Sequence, residues 1–262
     1  MQTHASPRRR YVEVLSVLTE RHIKARYRGS SLGVFWSLLN PLIMTGVYTA
    51  VFGHTFAKYY DNSTIDYLLA VFIGLVVMNF FAMSTVQALL SVVSNGSLIN
   101  KIRLPISVYP MSFMAASCFQ LLVGAAPLLL LIAALTSRNV ANVLLLLVPL
   151  TALILVSLGA ALAASLLYVF YRDIPHLYEL LVFVFWVATP VFYPLAIVPS
   201  RFRPFIEWNP LSQIIESIRS LALLNRVPSA IDLLVPLGLG IVVASLGWVA
   251  FRASSRHFMD YL

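Results

Sequence analysis

Six long apolar runs without charged residues set the pattern of the chain. An α-helix rises about 1.5 Å per residue, so about 20 apolar residues cross the hydrocarbon core of a bilayer. A charged side chain at mid-membrane costs about 2.5 to 3.5 kcal/mol on the insertion scale, which is why spanning helices exclude charge. The runs are Val34–Phe56, Tyr67–Leu90, Ser107–Leu135, Val143–Phe170, Leu180–Pro199 and Leu233–Phe251. They predict an all-α integral membrane protein with six transmembrane helices.

Residues 6–28 form a separate basic segment with helical periodicity. Ser6 can cap its start and Pro7 suits its first turn, while Gly29 is a natural stop. The apolar stripe consists of Tyr11, Val14, Leu15 and Leu18, and the polar side of Arg21, Lys24 and Arg28. Such a pattern predicts an N-terminal amphipathic helix lying in the cytoplasmic headgroup layer. The alternative is a solvated basic tail.

Five prolines interrupt the region after the fifth run, at positions 190, 194, 199, 204 and 210. A straight helix does not hold prolines at this density. Asn209 resembles a cap for a short helix that begins at Pro210, and the apolar face of that helix would carry Ile214, Ile215, Ile218, Leu221 and Ala222. We therefore predict a re-entrant outer hairpin over residues 196–224, between spans five and six. An ordinary external loop is the alternative.

The distribution of basic residues predicts the orientation. Six spans put both termini on one side, and a cytoplasmic location for them places 12 Lys and Arg inside and six outside. Positive residues favour the cytoplasmic side. Seven of the 12 lie in the first 28 residues, and without them the count is five against six. The expected location is the bacterial inner membrane, with both termini in the cytoplasm.

Composition narrows the class of protein. The chain is 60% hydrophobic and 11% charged, against about 25% charge in soluble domains. The net charge of +8 would indicate nucleic acid in a soluble protein. Because so many basic residues cluster near the N-terminus, anionic membrane lipids are the better match, and we expect no nucleic-acid partner. The single cysteine, Cys118, lies in an apolar run and is interpreted as a packing residue.

The sequence contains no HExxH or CxxC motif. None of the three lysines follows a glycine, so there is no phosphate loop of the GK[ST] type, and the five histidines lack metal-ligand spacing. The acidic residues lie at the ends of the spans or in loops, so none is an obvious group for coupling transport to an ion gradient. We predict no catalytic or metal site and no cofactor on this chain, with energy supplied by a separate subunit.

Aromatic residues are frequent in the spans. Sugar rings can stack on aromatic faces, and neutral hydroxyls need no fixed charge, so an uncharged aromatic pathway would suit a glycan. The candidate pathway residues are Phe35, Trp36, Tyr48, Phe52, Trp186 and Tyr193. The alternative for each is packing or anchoring at the lipid interface.

Six segments in order resemble one family of transporters. They are RYRGSSLGVFWSLLNP (26–41), SLINKIRLPISVYP (97–110), YRDIPH (171–176), TPVFYP (189–194), WNPL (208–211) and FMDYL (258–262). Each is weak alone, but their order on a six-span chain is similar to permease subunits of the ABC-2 family. The branch that they resemble most exports O-antigen and related cell-surface polysaccharides, including teichoic acids. The likeness covers essentially the whole chain, so residues 1–262 are treated as one permease domain with the six-helix bundle at 34–251.

The resemblance implies partners and roles. Two copies would pair, and each would contact a separate nucleotide-binding subunit that holds ATP and Mg. The cytoplasmic coupling residues would be Asn100, Lys101 and Arg103, with Arg172 and Asp173 as a second set. The N-terminal helix would act as a gate, with Arg21, Lys24, Arg26, Arg28, Gly29 and Gly33 as the gate and headgroup-contact residues. Arg26 and Arg28 would meet the diphosphate of a polyprenyl-linked glycan, or else anchor the helix to anionic lipid.

Export of such a lipid-linked polysaccharide, O-antigen-like in kind, is the function that the resemblance implies. Two rival hypotheses remain open at this point. An ABC-2 permease for teichoic acid, a drug or a small lipid would change only the substrate. A membrane-embedded enzyme acting on polyprenyl-linked sugars would change the class, although no loop gathers the acids or histidines that it would need.

Overall fold

The chain folds into a bundle of α-helices. The computed structural model describes residues 7–30, 32–96, 105–137, 139–223 and 228–260, and this part contains no β-strand. The helices are α1 (Pro7–Tyr27), α2 (Trp36–Phe56), α3 (Thr64–Ser94), α4 (Val108–Val123), α5 (Ala125–Ser137), α6 (Val140–Leu145), α7 (Leu147–Phe170), α8 (Ile174–Ala188), α9 (Arg203–Glu207), α10 (Pro210–Ala222) and α11 (Ala230–Ser254). The all-α prediction is confirmed for these residues.

Five stretches of the described chain are long and apolar enough to cross a membrane. They are Gly33–Tyr59, Thr64–Ser94, Val108–Ser137, Val140–Phe170 and Ala230–Phe258. The shortest has 27 residues, or about 40 Å of helix, and so exceeds the hydrocarbon thickness of about 30 Å. These stretches coincide with five of the six predicted spans.

The region of the predicted fifth span, Leu180–Pro199, differs from expectation. Its helix α8 begins at Ile174 and ends at Ala188, which gives 15 residues, or about 22 Å. Thr189 is extended, with φ −93° and ψ 135°, because a proline disfavours helical backbone in the residue that precedes it. The 11 residues after Ala188 that were predicted to complete the span are therefore outside this α-helix.

Helix α3 forms the centre of the bundle and packs against α2, α4, α7, α8 and α10. Helices α7 and α11 make the most extensive pairing, and glycine allows their close approach. A Cβ on Gly247 would lie 2.5 Å from the carbonyl oxygen of Gly159, and a Cβ on Gly159 would lie 2.3 Å from that of Val243. Such contact between backbones is how small residues let helices associate where no water drives them together.

The bundle has two ends, which we name after helices α1 and α10. At the α1 end, Val92, Tyr109, Val169, Phe251 and Phe258 form a small buried cluster separate from the main core. This cluster joins the end of α3, the start of α4, the end of α7 and the C-terminal 3₁₀ helix Ser255–Asp260. The opposite end, which we call the α10 end, holds the α2–α3 turn, the segment after α8 and α10 itself.

Helix α1 packs alongside α4 over most of its length instead of crossing it. Successive contacts pair Tyr11 with Ser107, His22 with Phe113, and Arg26 with Gln120. Both residue numbers rise together, so the two helices run in the same direction. The residues of the predicted apolar stripe are partly buried, whereas Arg21, Lys24 and Arg28 are exposed. The helix thus packs alongside the third span with its predicted apolar stripe toward the bundle, and its location in the headgroup layer stays a prediction.

Candidate functional site

The junction between α1 and α2 is a glycine-dependent turn. Gly29 has φ +77° and Gly33 has φ +50°, both in the left-handed region that glycine adopts without a Cβ penalty. The turn is closed by a hydrogen bond from the backbone N–H of Ser30 to the carbonyl of Tyr27 and by one from the N–H of Gly33 to the Ser30 hydroxyl. Among the described residues, no atom lies within 4 Å of the positions that a Cβ would take on either glycine. The requirement for glycine is therefore conformational.

Arg26 is tied to the bundle, although the sequence placed it at the headgroups. Its guanidinium donates one hydrogen bond to Oε1 of Gln87 in α3 and another to Oε1 of Gln120 in α4. Helical register carried a signal for this, because Arg26 lies four residues after His22 and eight after Leu18, on the inward face. Charge-assisted bonds of this kind are about twice as strong as neutral ones. Arg26 thus links the end of α1 to both neighbouring spans.

The remaining predicted gate cations are on the outward face of α1. Arg21, Lys24 and Arg28 are exposed, and Lys24 Nζ lies 2.5 Å from Oε1 of Glu20. Exposed pairs of this kind contribute little to stability. The structure therefore separates the four predicted gate cations into one that fastens the helix and three that face outward.

His22 completes the contact between α1 and α4. Its ring stacks on Phe113 with the centroids 3.8 Å apart, and its buried Nε2 has no hydrogen-bond partner among the described residues. Burial, together with the charges of Arg21 and Arg26, holds the pKa of His22 below its usual value. The imidazole therefore acts here as a neutral packing group.

One of the two predicted coupling sets is on the described surface. Arg172 and Asp173 are exposed in the turn between α7 and α8, at the α1 end. Arg172 also lies over the ring of Tyr168, with 6.0 Å from Cζ to the ring centroid. The other set, Asn100, Lys101 and Arg103, lies outside the described residues. The first set shares its end of the bundle with α1 and with the C-terminal 3₁₀ helix.

Three predicted pathway aromatics meet near the α10 end. The Tyr48 ring is parallel to that of Phe192 with 5.0 Å between the centroids, and the Phe52 ring lies 6.1 Å from it. Tyr193 meets the same ring edge-on at 5.4 Å. Phe192, which the sequence interpretation did not single out among the site residues, is thus the centre of the group. We call Tyr48, Phe52, Phe192 and Tyr193 the aromatic cluster.

The other three predicted aromatics lie elsewhere. Phe35 and Trp36 are 72% and 52% exposed at the start of α2, about 18 Å along the helix from Tyr48. Trp186, on α8, is partly buried and packs against the main core. The six residues therefore do not form one continuous lining within a single copy of the chain.

A buried arginine, Arg219 on α10, holds the broken segment after α8. Arg219 is 4% exposed. Its Nη2 donates to the carbonyls of Val191 and Ala70, each at 2.9 Å, and its Nη1 donates to Oε1 of Glu216 at 2.9 Å. The sequence count treated Arg219 as an external loop charge. Its register placed it on the apolar face, four residues after Ile215, and this was the available signal.

Further bonds fix the same segment from both sides. The Tyr67 hydroxyl donates to the carbonyl of Phe192 at 2.8 Å, and the Asn209 amide donates to the Thr189 hydroxyl at 2.9 Å. Asn209 also accepts from the N–H of Leu211, so the predicted cap of α10 is confirmed. A Cβ on Gly74 would lie 2.8 Å from the carbonyl oxygen of Val191. The non-helical backbone is therefore buried against protein, the condition under which such backbone is tolerated at membrane depth.

Comparison with known proteins identifies a family and several relatives. Residues 13–223 match the family described as ABC-2 type transporter. The chain is 26% identical over 252 residues to the O-antigen export system permease protein RfbA of Klebsiella pneumoniae, covering 95% of each chain. It is also 26% identical over 254 residues to the O-antigen export system permease protein RfbA of Myxococcus xanthus, again over 95% of each. The family match includes the α1–α2 junction, the aromatic cluster and the segment that Arg219 holds.

Proposed function

We propose that this chain, which belongs to the ABC-2 type transporter family, is the membrane-spanning subunit of an ATP-driven exporter of a polyprenyl-diphosphate-linked polysaccharide of the O-antigen kind. One observation carries the choice of substrate: the similarity to two O-antigen export system permeases extends over 95% of each chain. Family membership favours a transporter over an enzyme that acts on lipid-linked sugars. It also agrees with the resemblance found in the motifs.

The exporter that we propose contains two copies of this chain and two separate nucleotide-binding subunits. The sequence has no phosphate loop of the GK[ST] type, so ATP and Mg would be held by those partners. A second copy would supply the missing half of a pathway, since the aromatic cluster and Trp36 lie apart within one copy. The first span supports this, because only 11% of its most apolar part is buried within a single copy. Helix α2 therefore leaves a long apolar face for a second copy or for lipid.

The α1 end is the side that we assign to the cytoplasm of a bacterium, with the protein in the inner membrane. Helix α1, Arg172, Asp173 and the C-terminal 3₁₀ helix share this end, in line with the positive-inside rule. We propose that Arg172 and Asp173, together with Asn100, Lys101 and Arg103, contact the nucleotide-binding subunit. A sixth crossing in this scheme combines α8 with the extended residues that follow it, and residues 196–224 fold back at the outer surface.

Gating is assigned to the α1–α2 junction. The left-handed turn at Gly29 and Gly33 connects α1 to the first span, and Arg26 fastens it to α3 and α4. Release of the Arg26 bonds would free α1 to move relative to both spans. A diphosphate group is a stronger acceptor for a guanidinium than the two amide oxygens that hold it now. The headgroup of the substrate would therefore compete for Arg26, with Arg21, Lys24 and Arg28 exposed nearby on α1.

Deletion of the gene tests this function directly. The expected result is an undecorated cell surface and a lipid-linked glycan accumulating on the cytoplasmic side, identified by extraction and sugar analysis. Complementation with the intact gene should clear the intermediate. Accumulation of a teichoic-acid polymer would identify teichoic acid as the substrate in place of an O-antigen-like glycan. No accumulated glycan, with unchanged surface polysaccharide, would contradict glycan export altogether.

A separate experiment tests whether ATP hydrolysis belongs to the nucleotide-binding subunit and not to this chain. The purified chain alone should hydrolyse no ATP, and hydrolysis should appear when the nucleotide-binding subunit is co-purified. Reversing both charges, Arg172→Glu with Asp173→Lys, should weaken that coupling. The matched control is Arg252→Glu, because Arg252 is exposed near the same end but lies on α11. Equal coupling in the two variants would remove the α7–α8 turn from the proposed contact.

A further inference from the structure

A cavity lies beside the broken segment, between α10 and the start of α11. Its volume is about 640 Å³, within the range of about 300 to 1,000 Å³ that is usual for sites of small molecules. It is open on one side, and Pro190 and Pro236 form part of its wall. The aromatic cluster does not line it. The gating and coupling roles proposed above therefore make no use of this space.

The lining of the cavity is acidic and rich in hydroxyl groups. It includes the carboxylates of Glu207, Glu216 and Asp232, four serine hydroxyls and the amide of Gln213, and none of its described residues is Lys, Arg or His. Like charges repel, so this lining disfavours an anion such as a diphosphate. It favours a ligand that donates hydrogen bonds.

Two polar groups in this wall lack partners. Ser212 is one of the lining residues and is 3% exposed, and its hydroxyl makes no hydrogen bond to the described residues. Oε1 of Gln213 is also buried and unpaired, although its Nε2 donates to the carbonyl of Glu207 at 2.8 Å. An unsatisfied buried polar group costs about 1 to 3 kcal/mol. Both oxygens have almost no accessible surface, so a ligand would contact the more exposed carboxylates and serine hydroxyls of the lining, and would reach these two oxygens only after a side-chain movement.

The remaining acceptors are distributed and already partly engaged. Glu216 accepts from Arg219, and Asp232 accepts from both the N–H and the hydroxyl of Ser229. No group of three or more His, Cys, Asp or Glu in the described part of the chain is arranged to hold a metal ion. Scattered single acceptors match a ligand with many separate hydroxyl donors better than a point charge.

We propose that this cavity binds a neutral saccharide unit at the α10 end of the bundle. The choice of a saccharide over other hydroxyl-rich ligands rests on the proposed glycan export. In the orientation assigned above, the site faces the outside, where an emerging chain of sugars would meet it. It would recognise the sugar, whereas the cationic groups on α1 would recognise the diphosphate.

Saturation-transfer difference NMR can detect such weak binding. The full chain, co-purified with its nucleotide-binding subunit in lipid nanodiscs, would be mixed separately with glucose, galactose, mannose, rhamnose and N-acetylglucosamine. We expect transfer to at least one of them and none to glucuronate, the anionic counterpart of glucose. Signal from glucuronate equal to that from the neutral sugars, or no signal from any sugar, would overturn the assignment.

Matched variants place the binding in the cavity. Ser220 lines it, so Ser220→Phe should fill the space and abolish transfer, with Ser220→Leu as a milder variant should the first fail to assemble. Ser200 is exposed in the same hairpin region and is not part of the lining, so Ser200→Phe should bind as the unmodified chain does. Equal transfer in the Ser220 and Ser200 variants would refute the site. The deletion experiment reports on export independently, so failure of one proposal is distinguishable from failure of the other.

Discussion

Replacing Arg219 by leucine should destabilise the protein by about 3 kcal/mol, because leucine removes every hydrogen-bond donor of the guanidinium. Leucine keeps much of the buried volume, so the loss of these hydrogen bonds accounts for most of the effect. The largest loss falls on the carbonyl of Val191. It lies in the non-helical segment and accepts from Nη2 of Arg219 at 2.9 Å. The carbonyl of Ala70 lies within α3 and keeps an intrahelical partner, so its loss is smaller. The pair with Glu216 adds little, since that side chain is 47% exposed.

The series of variants separates charge from geometry. Arg219→Lys keeps the charge, but an ammonium cannot reproduce the planar fork that reaches two carbonyls and a carboxylate. The free energy of unfolding, measured by denaturant titration in detergent micelles, should decrease in the order wild type, Arg219→Lys, Arg219→Leu. Arg201→Leu is the control, because Arg201 is exposed in the same region and its loss should change the free energy by less than about 0.5 kcal/mol. A leucine variant as stable as this control would refute the assigned role of Arg219.

Three further changes test other parts of the structure. Gly29→Ala should lower the stability of the protein by about 1 to 2 kcal/mol, because the φ of +77° at Gly29 is left-handed. Gly46→Ala, in open space within α2, should raise the stability by about 0.5 to 1 kcal/mol. Thermal unfolding measures both variants, and equal shifts of the unfolding temperature would contradict the strained turn. Because the folded state lowers the pKa of His22, the unfolded state binds the proton more readily, so stability should fall as the pH drops below about 6.5. His22→Phe should flatten that profile between pH 7.5 and 5.5, and an unchanged profile would assign it to another group. Trp36→Ala should reduce glycan export without lowering the unfolding temperature, since Trp36 is 52% exposed; normal export would remove it from the pathway.

The main features of the fold follow from local chemistry. Apolar runs without charge predicted five of the spanning stretches, since lipid excludes charge wherever it occurs in the chain. The start of α10 at Pro210, with Asn209 as its cap, followed from groups adjacent in sequence. Gly29 as the end of α1 followed from the same kind of local rule. Patterns of this sort depend on neighbours within a few residues, which the sequence states directly.

Side-chain partners distant in sequence required the tertiary structure. Arg26 and Arg219 were both interpreted as exposed cations, because an arginine in a basic or proline-rich segment is usually solvated. Their acceptors are 61 to 94 residues away for Arg26 and up to 149 residues away for Arg219. No local pattern encodes which carbonyl or amide will meet a guanidinium across the bundle.

The sequence by itself determined that this is a membrane protein, where most of its spans lie and which family it resembles, because hydrophobicity, turn chemistry and short motifs are local properties. Only the tertiary structure decided that α8 ends at Ala188, that α1 packs alongside α4 and that the aromatic cluster centres on Phe192. It also revealed the acidic cavity between α10 and α11. These features arise from packing between helices, where the shape and hydrogen-bond capacity of each surface depend on residues far apart in the chain.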